Sequence, residues 1–183
     1  MVVINLWGAP GSGKSTAAAN LFSRLKSIGV NAELVTEFAK DLTWEDRECA
    51  IKNQLYVSGN QAFRVSRLEG KVDVVITDSP IPSGLLYLSA EKKELFRPVL
   101  YDEYFKYDNV NFLMIRVTPY DNNGRGQTEN ESDKIGNELI SEVTIFLPCP
   151  IYRISNNQEG LNYLFLTVKE MLVEKGIVNE TKD

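Results

Sequence analysis

The sequence contains no histidine. That absence removes serine–histidine and cysteine–histidine nucleophilic catalysis and leaves carboxylates to carry any acid–base chemistry. Cysteine is nearly missing too: Cys49 and Cys149 stand far apart with no neighbour at ligand spacing, which argues against a zinc site or a disulfide framework. No apolar run approaches the ~20 residues that span a bilayer. The N-terminus also lacks the layout of a secretion signal, so a cytoplasmic protein without membrane contact is expected. There is no surplus of basic residues; the net charge is −5. A long phosphate-tracking nucleic-acid surface is therefore disfavoured, although a local basic cleft is not. Repeats, low-complexity tracts and linker-like stretches are absent, and 183 residues suit one domain. That domain is expected over 1–176, with a frayed tail at 177–183.

What is present is an alternation of short apolar runs and amphipathic stretches. Val2 to Trp7, Leu34–Val35, Val72 to Thr77, Phe112 to Val117 and Tyr152 to Ile154 read as five buried strands. Ala17, Ala18, Leu21, Phe22, Leu25 and Ile28 fall at helical spacing, with Gly29 as the stop. Trp44 to Leu68 predicts two helices broken near Lys52 or Gly59, and Ser83 to Ala90 a further helical stretch. Pro98 to Tyr107 predicts a helix with proline in its first turn. Thr128 and Glu131 form a helix capping box, and Leu161, Leu164, Phe165, Val168 and Leu172 mark a closing helix. This α/β pattern implies a parallel sheet covered on both faces, whose ligands gather at the carboxyl ends of the strands.

The residues just after those strand ends are polar, and they carry the chemistry. Gly8, Ala9, Pro10, Gly11, Ser12, Gly13, Lys14, Ser15 and Thr16 follow the first strand and open a helix. Glycines at this spacing let backbone N–H groups converge on phosphate oxygens, and the helix adds its positive end. Lys14 can reach the β- and γ-phosphates and the Ser15 hydroxyl is the expected Mg²⁺ ligand, so ATP with Mg²⁺ is the expected cofactor pair. Asp78 closes the third strand and is a second candidate for Mg²⁺, or else a helix N-cap. Its successor is Ser79 rather than the water-activating glutamate of many motor ATPases. Glu37 follows the second strand, either as a general base for an acceptor hydroxyl or as a surface glutamate paired with Lys40.

Arg116 and Arg125 bracket the stretch from Thr118 to Gln127, where Gly124 and Gly126 suggest a mobile lid. An arginine carried by such a lid can neutralise charge on a transferring phosphoryl group; the alternative is a solvated side chain. Gln54, Ser58, Gln61 and Arg64 share one helical face. With Glu37 and Lys40, Gln54, Gln61 and Arg64 form a candidate acceptor site, or that face is simply solvated. Asn156, in the turn after the fifth strand, is a further cofactor-binding candidate.

Four segments carry a family resemblance: Gly8 to Thr16; Val35-Thr36-Glu37-Phe38-Ala39-Lys40-Asp41-Leu42; Ile76-Thr77-Asp78-Ser79-Pro80; and Arg116 with Pro119-Tyr120 through Gly124-Arg125 and Gln127-Thr128-Glu129. Through them the chain resembles small phage-encoded P-loop proteins labelled AAA-family ATPase or nucleotide kinase. These are akin to the kinase domain of nicotinamide riboside kinases and, more distantly, to deoxynucleoside kinases. The resemblance implies a P-loop NTPase fold with a five-stranded parallel core in the kinase order, the Asp78 strand lying beside the P-loop strand. It also implies an ATP-dependent kinase of the host cytoplasm. The acceptor is then a nucleoside-like hydroxyl, either free or, as in phage hydroxymethyluracil kinases, within DNA. Glu37 matches the deoxynucleoside-kinase base in position, but Phe38 stands where those enzymes have proline, and Asp78-Ser79-Pro80 lacks their arginine. A nucleotide-dependent ATPase or switch acting through a protein partner is the alternative.

Overall fold

A computed structural model describes residues 1–120 and 128–179. Strand β1 (Val2–Trp7) leads through the glycine loop into α1 (Lys14–Ser27), followed by β2 (Ala32–Val35). Three helices come next, α2 (Phe38–Trp44), α3 (Glu48–Lys52) and α4 (Gln54–Ser66), then β3 (Val74–Thr77) and a 3₁₀ helix at Ile81–Tyr87. The chain continues with α5 (Ala90–Phe105), β4 (Asp108–Ile115), α6 (Glu129–Phe146), β5 (Ile151–Ser155) and α7 (Gln158–Glu174). The sheet is five-stranded in the order β2-β3-β1-β4-β5, and the strand pairs are parallel. Among the described residues no helix is long and apolar enough to cross a membrane.

Side-chain alternation along β1 sorts the interior into two layers. Val2, Ile4 and Leu6 face α1 and α7, joining Leu21, Leu25, Leu164 and Val168. Val3 and Trp7 face the other way, toward Val65 of α4, Leu100 and Tyr104 of α5 and Val143 of α6. Both faces of β1 are buried, which is why its sequence is a continuous apolar run rather than an alternating one. The run is interrupted by Asn5, whose amide donates to Asn109 Oδ1 at 2.9 Å.

The second layer holds a buried polar node. Asn111 Oδ1 accepts from Trp7 Nε1 at 2.8 Å and from the Tyr104 hydroxyl at 2.6 Å. Asn111→Leu leaves two buried donors without an acceptor at about 1–3 kcal/mol each. Chemical denaturation should therefore show a loss of about 2–6 kcal/mol, and a loss below ~1 kcal/mol would contradict this account.

Several expected boundaries hold. Gly29 ends α1 at φ +82, a left-handed conformation that glycine adopts without a Cβ penalty, and Val30 N–H returns to Leu25 C=O at 3.0 Å. The capping box at Thr128 and Glu131 is formed, and donation by Thr128 N–H holds the Glu131 carboxyl below its usual range. The helical break falls at Asn53, just after Lys52, while Gly59 lies inside α4.

Others shift. Helix α5 begins at Ala90, after Ser89, and runs through Pro98 instead of starting there. Proline removes one helical N–H, but the segment beyond it is anchored by Leu100, Tyr101 and Tyr104. Just before it, Arg97 forms a two-pronged ion pair to Glu142 of α6 at 2.9 and 3.1 Å. The stretch expected at Ser83 to Ala90 is the 3₁₀ helix, and β4 starts four residues before Phe112. Beyond Gly176, where fraying is expected, Ile177 and Val178 pack back against the first layer. Residues 180–183 of that tail lie outside the described residues.

Candidate functional site

Strand register brings the expected positions to one edge of the sheet. Val35 lies opposite Thr77 and Asn5 opposite Thr77 on the other side, so Glu37, Asp78 and the glycine loop leave the sheet at neighbouring levels. Ile115 lies opposite Ser155, which does the same for Arg116 and Asn156. Across the edge the order is Glu37, Asp78, the glycine loop, Arg116, Asn156.

The loop is built for close approach of a phosphate. Gly13 is the N-cap of α1 with φ +87, and a Cβ there would lie 2.9 Å from the Asn156 Cβ. No acidic residue occupies the first turn of α1, so the positive end of the helix is left uncompensated. Lys14 Nζ lies across the loop, donating to Gly8 O at 2.8 Å and Ala9 O at 3.0 Å. Ser15 and Thr16 are exposed at the mouth. Asp78 is 3% exposed, and its Oδ1 has no hydrogen-bond partner among the described residues. A buried carboxylate oxygen without a donor among the described residues, and a serine hydroxyl exposed at the end of the neighbouring loop, are oxygen ligands of the kind that suits Mg²⁺, a hard cation that keeps several waters.

On the β2 side, Glu37 occupies the N-cap position of α2, yet its side chain makes no capping bond. Neither does an ion pair join it to Lys40, which is exposed. The surface of Glu37 is only partly accessible. Desolvation raises its pKa above the ordinary 4.5; the nearby Lys14 charge opposes this and the Asp78 charge adds to it. These couplings put both Lys14 and Asp78 within electrostatic reach of Glu37. Sequence reasoning missed Tyr87, which ends the 3₁₀ helix beside them. Although 44% of Tyr87 is exposed, its phenol is pushed upward by desolvation, then by Glu37 and Tyr120. A tyrosine in a 3₁₀ turn gave no signal of this.

The polar face of α4 is turned inward, not solvated: Ser58 is 5% and Gln61 4% exposed, while Leu55 and Phe63 on the opposite side face outward. Gln61 Oε1 accepts from Phe38 N–H at 2.9 Å. Arg64 pairs with Asp41 and lies over the Phe38 ring, 4.8 Å from its centroid. Gln54 Nε2 donates to Ile51 O at 2.8 Å. These side chains thus hold α2, α3 and α4 together beside Glu37. An apolar groove of about 340 Å³ lies between α4 and α5, lined by Leu55, Phe63, Phe96 and Val99 among others, and includes no phosphate-loop residue.

On the β4 and β5 side, Arg116 pairs with Asp133 at 2.6 Å and Glu129 at 3.4 Å, both in the first turns of α6, and lies over the Tyr120 ring. Asn156 Oδ1 accepts from Val117 N–H at 2.9 Å, and its amide donates to Thr118 Oγ1 at 2.9 Å. Helix α6 also braces the loop, a contact without a local signal: Ser132 Oγ donates to Pro10 O at 2.7 Å. A Cβ on Gly136 would lie 3.2 Å from Ala9. Arg125, and with it most of the expected lid, lies outside the described residues.

A parallel sheet in this order, with a glycine loop opening α1 and an aspartate closing the neighbouring strand, defines a P-loop NTPase fold of the nucleotide-kinase type. The AAA domain family model matches residues 3–159, and the chain belongs to that family. No curated protein matches it. Among solved structures, thymidylate kinase from Ehrlichia chaffeensis is similar at a TM-score of 0.63 and 17% identity, covering 93% of this chain and 98% of the other. That likeness shows the fold.

Proposed function

We propose that the protein is an ATP-dependent kinase that phosphorylates a hydroxyl of a nucleoside-like acceptor, either a free nucleoside or nucleotide or a modified base such as hydroxymethyluracil in phage DNA. The observation that carries this reading is Glu37: a desolvated carboxylate that makes no capping bond and, among the described residues, no ion pair, within electrostatic reach of Lys14 and Asp78. A carboxylate so placed is poised to act as a general base, whereas a phosphate-oxygen acceptor would need none. The thymidylate kinase likeness and the AAA domain match are compatible with it.

In this reading the loop amides and Lys14 hold the β- and γ-phosphates of ATP, with Asn156 against Gly13 of the loop and Arg116 standing behind Arg125 as part of the charge clamp. Glu37 accepts the proton of the acceptor hydroxyl as its oxygen bonds to the γ-phosphorus and the γ-phosphorus to β-bridging-oxygen bond breaks. Lys14 balances the charge gained by the departing ADP. Ser15 and Asp78 would hold Mg²⁺, which would supply neutralisation of phosphate charge when bound. Arg125 is the remaining candidate for the transferring group. Asp78→Asn preserves shape but removes the anion, and should raise the Mg²⁺ concentration for half-maximal rate by roughly 10–100-fold. A titration curve superimposable on the wild type would take Asp78 out of the metal site.

The deciding experiment measures labelled phosphate transfer from ATP to free nucleosides and to hydroxymethyluracil-containing duplex, at low and moderate salt. A DNA acceptor must be flipped out, and its binding releases counterions, so that activity should fall steeply with salt. A free nucleoside should respond weakly. ATP consumption with transfer to neither class would replace the kinase reading with an ATPase switch.

A further inference from the structure

We infer that Gln61 is a positioning residue, one that sets the separation of Glu37 and Asp78 by tying the chain on both sides of Glu37 to the end of β3. The inference rests on the kinase reading above. A glutamine amide offers one acceptor and two donor hydrogens, and here all three are directed at these two segments. Oε1 accepts from Phe38 N–H at 2.9 Å. Nε2 approaches Thr36 O at 3.4 Å and Thr77 Oγ1 at 3.5 Å. The orientation of the amide is fixed by its partners, since Phe38 N–H can only donate and Thr36 C=O can only accept.

Thr36 and Phe38 are the two residues flanking Glu37, so the backbone is held on either side of that carboxylate. Thr77 precedes Asp78, and its Oγ1 also accepts from Ser79 N–H at 3.1 Å, which holds the backbone beyond Asp78. One buried side chain therefore joins the neighbours of both carboxylates, Phe38 and Thr77, which lie 23 and 16 residues from it in sequence. Gln61 and Thr77 are 4% and 1% exposed, so water does not readily substitute for this bridge. In-line transfer depends on the base and the metal-bound phosphate being held in a fixed relation.

The test compares the wild type with Gln61→Met, which is similar in length and lacks the amide, Thr77→Val, which keeps the shape and lacks the hydroxyl, and the double variant. A misplacement of about 1 Å can cost ~10²-fold. Gln61→Met should lower kcat for transfer by roughly 10–100-fold per folded molecule, with the ATP KM within about twofold. Thr77→Val should act in the same direction and by less. The double variant should be no slower than the worse single one, because both substitutions cut the same bridge; independent effects would multiply. If Gln61→Met does not fold, the kcat-against-KM split of Thr77→Val decides alone. Unchanged kcat per folded molecule, or equal losses in kcat and ATP affinity, overturns the inference and leaves the kinase reading standing. A wild-type protein that transfers phosphate to no acceptor removes both.

Discussion

Lys14→Ala should lower ATP turnover by roughly 10²–10³-fold, the usual cost of removing a preorganised charge at a transferring group, and weaken ATP binding in a direct titration. Lys14 donates to two carbonyls of its own loop, Gly8 and Ala9, and so holds a cation over the mouth at which the phosphates would enter. The remaining loop donors are peptide N–H groups and hydroxyls, partial charges that orient a polyphosphate without neutralising it. The substitution removes no core contact: Lys14 is at the surface end of α1, whose buried residues are Ala17, Ala18, Leu21 and Leu25. Denaturation should accordingly move by about 1 kcal/mol or less. A folded Lys14→Ala protein with wild-type ATP affinity and turnover would contradict the nucleotide assignment itself.

Glu37→Gln should leave ATP affinity nearly unchanged and lower phosphoryl transfer by roughly 10²–10⁴-fold, the contribution expected of a general base. The pH dependence gives an independent reading. Because burial holds the Glu37 carboxyl above 4.5, the active, ionised form is lost as pH falls through that raised value. The acid limb of the wild-type profile should therefore lie above the normal carboxylate range and be missing from the residual activity of Glu37→Gln. Stability should move the opposite way to activity. A carboxyl whose folded pKa is raised contributes stability fully below its unfolded value and loses it as pH rises through the folded one. At neutral pH the wild type bears that cost and the neutral glutamine does not, so Glu37→Gln should melt no lower than the wild type. A variant that is inactive and also clearly destabilised would indicate a structural role instead. Full activity would pass the role to another carboxylate, Asp41 being the nearest in sequence along α2.

The sheet and the phosphate loop were legible in the sequence because local signals determine them. Fully buried strands are unbroken apolar runs, glycine marks the C-terminus of α1, and a serine- or threonine-led box marks the start of α6. What local pattern could not supply was the direction in which α4 faces. Gln54, Ser58, Gln61 and Arg64 were readable as a shared stripe, but the partners that turn Ser58 and Gln61 inward, such as Phe38 and Thr77, come from distant parts of the chain. The short helix α2 escaped for a similar reason: Leu42 is its one buried residue, too little for a period to show. Pro98 misled because proline favours a first helical turn in general, whereas tertiary anchors carry α5 through it. Tyr87 and Ser132 reach the site by packing alone.

The first core layer joins the opening and closing thirds of the chain: α1 lies against α7, where Arg24 stacks over Phe165 at 3.9 Å and bonds Asn162 at 3.0 Å. On a ribosome these partners are made far apart in time. The 130 residues between Ser27 and Gln158 take on the order of ten seconds at ~5–20 residues per second. Throughout that interval the apolar side of α1, with Leu21 and Leu25, has no α7 to cover it. A nascent chain halted before α7 should therefore be captured by chaperones that bind exposed apolar segments, and released once the last helix has emerged.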